Sequence, residues 1–329
     1  MLFIRAIGVT IGIMGAALIA IAEPAGAQGT SWPDRTIQAI VPFAAGAAND
    51  IVGRIVLEQV SRQVGQPIVV ENRPGAGGTI GVNAVAKAAP NGYTVLVHST
   101  SFAAAYSLYK SLPYDTLNDF AAVIPLGNTP TVLVTAPSKG LKTAADLIAA
   151  AKAKPGAMNF ASAGIGSASH LAAERFRLSA GIDAQHVPFR GPNEAFTEVM
   201  AGRIDFYFLP LAPALPLVKE GQLTALAVSS EKRAGALPDV PTTTELGLKD
   251  STFLFWTGLF LPAKTPRDIV GKLHEESRKA LLVASVQERI GKTGNEAMPM
   301  TVDAFAAYFK EDVLSTARLM QQIGIKPLD

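Results

Sequence analysis

Short apolar runs of buried-strand character alternate along this chain with longer segments whose apolar residues recur at helical spacing. Residues 36–41 read as a buried strand and 42–49 as a loop of small residues. Asp50 then caps a helix with Ile51, Ile55 and Val60 among its apolar positions. A second strand, 68–71, runs into the glycine-rich segment 72–79; a helix over 80–88, a turn at Pro90-Asn91-Gly92 and a strand over 93–97 follow. A similar series starts at Thr131: strand 131–135, helix 144–154 stopped by Pro155-Gly156, strand 158–161, helix 171–180, strand 185–188, helix 194–201 and strand 204–208. Residues 223–228 add another buried strand, and the proline-rich 237–241 carry the chain back to the first series. Residues 253–261 are strand-like, and helices over 266–282 and 302–322 complete the pattern. Strand, loop and helix repeated with short connections predict an α/β fold on parallel sheets with right-handed crossovers. Two such units are expected, one from residues 28–127 with 240–329, the other from 128–239 inserted into it.

Within this pattern the stretch 162–170, Ser-Ala-Gly-Ile-Gly-Ser-Ala-Ser-His, joins a strand to a helix. A glycine-bearing turn at that place aims several backbone N–H groups one way, without helical partners, and the helix dipole adds partial positive charge. Ser162 and Ser167 supply hydroxyls without bulk. Such a turn suits an anion. Three readings stay open: a small carboxylate, a dinucleotide phosphate, or a plain tight turn with serine caps. For the dinucleotide, Gly164, Gly166 and Ser169 overlay the glycine fingerprint, which also wants an acid at the carboxyl end of the next strand. Asp183 precedes strand 185–188 and so falls at the wrong end of it.

Ligands of open parallel sheets gather beyond the carboxyl ends of the strands. The loops 42–50, 73–79, 98–102, 162–169 and 190–193 all fall at such ends, and two units facing one another would line a cleft with them. Asp50 has a second reading there, as an acceptor for a ligand hydroxyl, amine or water. His170 at its helix start either donates to a ligand or orients and packs. His98, followed by Ser99-Thr100-Ser101, is cleft lining or ordinary loop polarity, and His186 is a strand residue. Arg190 either pairs with a ligand carboxylate or points to solvent, and Arg73 is a donor to loop carbonyls.

Composition narrows the chemistry. Of 329 residues, 49% are hydrophobic and 17% charged, with a net charge of +2, which offers no footprint for nucleic acid. The absence of cysteine removes disulfides, thiolate metal sites and cysteine nucleophiles. His274-Glu275-Glu276 lacks the second histidine of a zinc-protease motif, and neither a G-x-S-x-G elbow nor a phosphate-binding G-x-x-x-x-G-K occurs. Nothing in the chain calls for a cofactor or a metal. Arg5, the apolar run 6–22 and the small-residue site Ala25-Gly26-Ala27 read as a secretory signal cut between Ala27 and Gln28. The alternative, a single membrane anchor, has a short core rich in Gly and Ala with no Lys/Arg cluster after it.

These residues fall into a longer set of spaced motifs. Trp32-Pro33-Asp34-Arg35, Val41-Pro42-Phe43-Ala44-Ala45-Gly46 with Asp50, and Val70-Glu71-Asn72-Arg73-Pro74-Gly75-Ala76-Gly77-Gly78 come first. Pro90-Asn91-Gly92-Tyr93-Thr94, Leu112-Pro113-Tyr114-Asp115 and the 161–172 stretch follow, then His186-Val187-Pro188-Phe189-Arg190-Gly191, Leu237-Pro238-Asp239-Val240-Pro241-Thr242 and Trp256-Thr257-Gly258-Leu259. The whole resembles the tripartite tricarboxylate transporter substrate-binding proteins, also called the Bordetella-uptake-gene (Bug) family of periplasmic receptors.

The resemblance covers essentially all of the chain after the signal. It implies two doubly wound α/β domains joined by a hinge, in the manner of a type II periplasmic binding protein. It also implies capture of a small carboxylate by loop N–H groups and ordered waters, for a membrane permease of the tripartite type, by a monomer that is not an enzyme. The ligand residues expected on this reading are Phe43, Ala44, Ala45, Gly46, Asn49 and Asp50 from the first loop, with Ser99 and Thr100. The second side supplies Ser162, Gly164, Gly166, Ser167, His170, Arg190 and Asn193. Three positions depart from the family pattern: Ala47 replaces a second glycine, Phe189-Arg190-Gly191 stands for Tyr-Lys-Gly, and Glu194 takes the place of a proline. Glu194 in the cleft would repel a second carboxylate. Two rivals stay open, a sensory partner of a membrane kinase and an exported enzyme acting on small acids, for which the sequence offers no nucleophile–base pair.

Overall fold

The structure is a computed structural model that describes residues 32–189 and 191–328; the expected signal segment lies outside the described residues. β1 (Ile37–Val41), β2 (Ile68–Asn72) and β3 (Thr94–Ser99) are aliphatic runs that pair in parallel, with β1 in the middle. Parallel neighbours need crossovers, which α1 (Ala48–Val64) and α2 (Thr79–Ala86) provide. α1 stops at Gly65, whose φ of +69° is left-handed and whose N–H bonds the carbonyl of Ser61 at 3.0 Å. α3 (Ser101–Leu108) follows β3 at once.

β4 (Phe120–Thr135) and α4 (Ala144–Ala153) come next, then β5 (Met158–Ser162), α5 (Ala168–Ala180) and β6 (Ala184–Pro188). α6 (Pro192–Met200), β7 (Phe206–Pro210), α7 (Leu211–Lys219) and β8 (Thr224–Val228) complete the middle of the chain. The last elements are β9 (Leu254–Pro262), α8 (Arg267–Leu282), α9 (Ala284–Lys292) and α10 (Val302–Gln322).

The α/β class holds, but the sheet is mixed, not purely parallel. Its order is β2-β1-β3-β9-β4-β7-β5-β6, with β8 also paired to β4. β9 lies antiparallel between β3 and the first part of β4, and β7 and β8 lie antiparallel to its last part. β4 therefore begins at Phe120, well before the expected Thr131. The return crossing also differs from expectation. Residues 237–241 still lie along β8, where the Val228 N–H bonds the Pro241 carbonyl at 2.9 Å, and it is β9 that carries the chain back.

β4 sets the geometry of everything around it. β1, β2 and β3 run in its direction; β5, β6 and β7 run against it. Ser99, the last residue of β3, is level with Gly127, since both pair with Thr257, while Pro210, the last residue of β7, is level with Thr131. The carboxyl ends of the two strand sets thus point at one another along β4. Four residues of strand separate those levels, roughly 13 Å at the usual rise. An aromatic core of Trp256, Phe102, Phe260, Phe305 and Phe309 fills one side, and the Trp256 indole N–H donates to Asp312 of α10 at 2.8 Å. A second core joins α3, α5 and α10 through Leu108, Leu171, Phe176 and Leu319.

Candidate ligand-binding site

The loop after β1 is held from beneath. Asp50 is the third residue of α1 and not its cap; the cap is Ala47, which has no side chain able to bond the open N–H groups. Asp50 reaches back instead, accepting the Gly46 N–H at 2.8 Å, Arg54 Nε at 2.9 Å and Asn72 Nδ2 at 3.0 Å. Asn72 Nδ2 also donates to the Phe43 carbonyl at 3.0 Å. Gly46 needs its glycine, since φ is +82° there. With 2% of its surface exposed and its oxygens taken, Asp50 is part of the scaffold that shapes the loop. Ala44, Ala45 and Gly46 face solvent above it, and the half-buried Phe43 ring meets His98 edge-on at 5.4 Å.

His98 is no cleft residue. It is buried, stacked on Phe102 at 4.8 Å, and its Nδ1 accepts the Ser99 N–H at 2.7 Å. Burial takes its pKa down to about 3, so the ring is neutral. Arg73 also differs from expectation, because its guanidinium pairs with Glu71 across one residue and leaves the loop carbonyls alone.

In α1 after β1, and at the end of β3 with the β9 residue paired to it, three buried side-chain groups lack a hydrogen-bond partner among the described residues: Asn49 Nδ2, Thr100 Oγ1 and Thr257 Oγ1. Each belongs to a residue no more than 2% exposed. Buried polar groups are ordinarily satisfied, and leaving one open costs about 1–3 kcal/mol. Asn49 and Thr100 were legible in the sequence. Thr257 was not, because only its pairing with Ser99 across the sheet brings it to a strand end. Ser99 itself is engaged, with its Oγ 3.2 Å from that of Ser101.

The turn after β5 is a dense hydrogen-bonded knot. Gly164 and Gly166 have φ of +120° and +76°. The Ala163 N–H donates to Ser169 Oγ at 3.0 Å, the Gly164 N–H to Ser162 Oγ at 3.1 Å and the Gly166 N–H to His170 Nδ1 at 3.1 Å. Ser167 caps α5: its Oγ accepts the His170 N–H at 3.4 Å and donates to the Gly164 carbonyl at 2.6 Å. The open donors of the expected site are therefore fewer than the sequence implies. The N–H groups of Ile165, Ala168 and Ser169 are those without a partner among the described residues. Ile165 stands at the tip, 42% exposed, and Gly166 is buried against Leu108 of α3.

His170 does not reach solvent or ligand space; it is fully buried and serves the turn from behind. His186, expected to be a plain strand residue, lies with Nε2 2.6 Å from Ser162 Oγ and stacks on His170 at 4.0 Å. This is a serine–histidine contact that the sequence could not show. Ser162, however, has none of its surface exposed, so its hydroxyl does not face a substrate as a nucleophile must. Asp183 precedes β6, away from the turn. Asn193 is exposed in the first turn of α6, and Arg190 lies outside the described residues. Among the described residues no cluster of acidic and histidine side chains could hold a metal, and no helix is long and apolar enough to cross a membrane.

Two helix N-termini thus lie at facing strand ends of an α/β fold, an arrangement shared with solved periplasmic binding proteins. Residues 52–325 match the family described as tripartite tricarboxylate transporter family receptor. BugT of Bordetella pertussis is 34% identical over 308 residues, covering 93% of this chain and 94% of its own. An R. palustris protein solved with adipate superposes with a TM-score of 0.81 at 28% identity, covering 90% of this chain and all of the other. MatC from Rhodopseudomonas palustris, with bound malate, gives 0.76 at 31% identity over 88% of this chain and 99% of that one. The chain belongs to the tripartite tricarboxylate transporter family of receptors, and its role is that of a solute-binding protein.

Proposed function

We propose that this protein is exported to the periplasm and captures a small carboxylate between the two sets of strand ends, as a non-catalytic monomer that delivers it to a tripartite-type membrane permease. The observation that carries the reading is the convergence of open donors at facing helix N-termini. The starts of α1 and α5 sit at opposed strand ends, and three buried side-chain groups, one in the first turn of α1 and two at the end of β3, have no partner among the described residues. A carboxylate supplies the missing acceptors, and helix N-termini favour its charge. The relatives solved with adipate and malate support the carboxylate class. On this reading the chain up to residue 127, with the part from β9 onward, forms one domain and the stretch between them the other, and they close on the ligand by bending β4, the strand that runs from one into the other.

A thermal-shift screen against mono-, di-, tri- and aromatic carboxylates tests it. A ligand at a hundred times its Kd stabilises by about 2.7 kcal/mol, a rise of several degrees in a chain of this size. Scattering should then show a smaller radius of gyration with that ligand. No shift with any carboxylate, or a shift with nucleotides alone, would contradict the proposal.

A further inference from the structure

We propose that His170 and His186 are positioning residues: a stacked pair of neutral imidazoles whose acceptor nitrogens hold the turn between β5 and α5 in its anion-receiving shape. The inference rests on reading that turn as a carboxylate site and adds what keeps it in register. His170 Nδ1 accepts the Gly166 N–H at 3.1 Å. Its proton is therefore on Nε2, which has no hydrogen-bond partner among the described residues and lies 3.7 Å from Glu174 Oε1. Ser162 Oγ accepts the Gly164 N–H and has one proton to give. Two acceptors are near it, the Gly164 carbonyl at 3.1 Å and His186 Nε2 at 2.6 Å. The carbonyl already receives the Ser167 hydroxyl at 2.6 Å and the Ser167 N–H at 3.2 Å, so the shorter contact takes the Ser162 proton. With these assignments each glycine N–H of the turn has one acceptor, and the donors of Ile165, Ala168 and Ser169 are left without one among the described residues.

Protonation would undo this arrangement. A proton on His170 Nδ1 would face the Gly166 N–H donor to donor, and two charged rings 4.0 Å apart would repel. The surroundings keep the pair neutral. Phe160 of β5 stacks on both rings, at 5.0 Å from His186 and 6.4 Å from His170. The charged and titratable groups nearby are Glu174 and Arg177 on α5, bonded to each other at 2.7 Å, and Tyr207 of β7 beside Ser169, its hydroxyl pushed up to about 12 by burial. Leu108 is the contact from α3. Burial, reinforced by His186 and Arg177, takes His170 down to about 3, and burial takes His186 down to about 4.

The experiment uses paired variants with two readouts, one independent of ligand. In His170→Asn the side-chain amide oxygen takes the place of the imidazole Nδ1, so this variant keeps the acceptor that His170→Leu removes; His186→Gln and His186→Leu form the second pair. Exchange of the Gly166 amide hydrogen, followed by NMR, should be slow in the parent and in His170→Asn and at least tenfold faster in His170→Leu. Calorimetric titration with adipate, malate and benzoate should show at least tenfold weaker binding in both leucine variants, recovered to within about threefold by the amide variants. Parent affinity for benzoate, which stays ionised throughout, should be flat from pH 8 to about 5.5. Unchanged Gly166 exchange in a folded His170→Leu protein, or affinity falling through a midpoint between pH 6 and 7, would overturn the inference. If the parent binds none of the three acids while the exchange pattern holds, the carboxylate reading fails and the turn lock stands.

Discussion

Replacing Gly166 by valine lowers carboxylate affinity at least tenfold and the melting temperature by several degrees. Gly166 has φ of +76°, and a Cβ there would come within 2.7 Å of Leu108 Cδ2. A β-branched residue in the left-handed region costs on the order of 1–3 kcal/mol. The Leu108 methyl can move, but only within the core that joins α3, α5 and α10. The same shift draws the Gly166 N–H away from His170 Nδ1, so the turn loses its shape along with some stability. Ser167→Ala is milder: it removes one cap hydroxyl and keeps the backbone, lowering stability by about 1–2 kcal/mol with a smaller loss of affinity than Gly166→Val. Asp183→Ala, before β6 and away from the turn, leaves binding unchanged. Titration calorimetry with circular dichroism on the same samples separates the effects. Undiminished affinity in a folded Gly166→Val protein would remove the turn from the site.

Asp50→Ala has a comparable effect by a different route. It deletes the acceptor of the Gly46 N–H, Arg54 and Asn72 together, three bonds that hold the first loop over the start of α1. Removing a buried carboxylate of this kind costs about 2–4 kcal/mol of stability. Because the carboxylate is scaffold and not a ligand contact, affinity should fall by a similar factor for every acid the protein binds. A loss confined to ligands bearing a hydroxyl or amine, with the melting temperature unchanged, would return Asp50 to the role of ligand acceptor. Chemical denaturation alongside titrations with a plain and a hydroxylated acid decides between them.

The strand-end loops were legible because their chemistry is local. Glycine and serine between a strand run and a helical period mark the 162–170 turn wherever the rest of the chain goes, and Asn49 and Thr100 lie beside equally clear strand ends. What the sequence concealed depends on pairing. Pro125, Gly127 and Pro130 break the reading of residues 120–130 as strand. In the sheet the first two flank one register shift, between Pro125 and Gly127, where a bulge tolerates them. Without that half of β4 the antiparallel join to β9 is invisible, and a parallel sheet is the natural expectation. His186 and Thr257 carry no local signal either; one reaches Ser162 only through the β5–β6 register, the other reaches Ser99 only through β3–β9. Asp50 reads as a cap because an acid opening a helix usually is one. Here it acts from the third position, bonding back to Gly46.

A crystal structure of the mature protein with the tightest-binding acid from the screen tests the central claim most directly. The account predicts carboxylate oxygens within hydrogen-bond reach, directly or through one water, of the Ala168 or Ser169 N–H or of Asn49 Nδ2, with the two sets of strand ends drawn together over the ligand. Density for the acid elsewhere would contradict it, for example in the 330 Å³ cavity lined by Arg175, Lys249 and Arg318, with the Asn49 and Thr100 side chains still unpartnered.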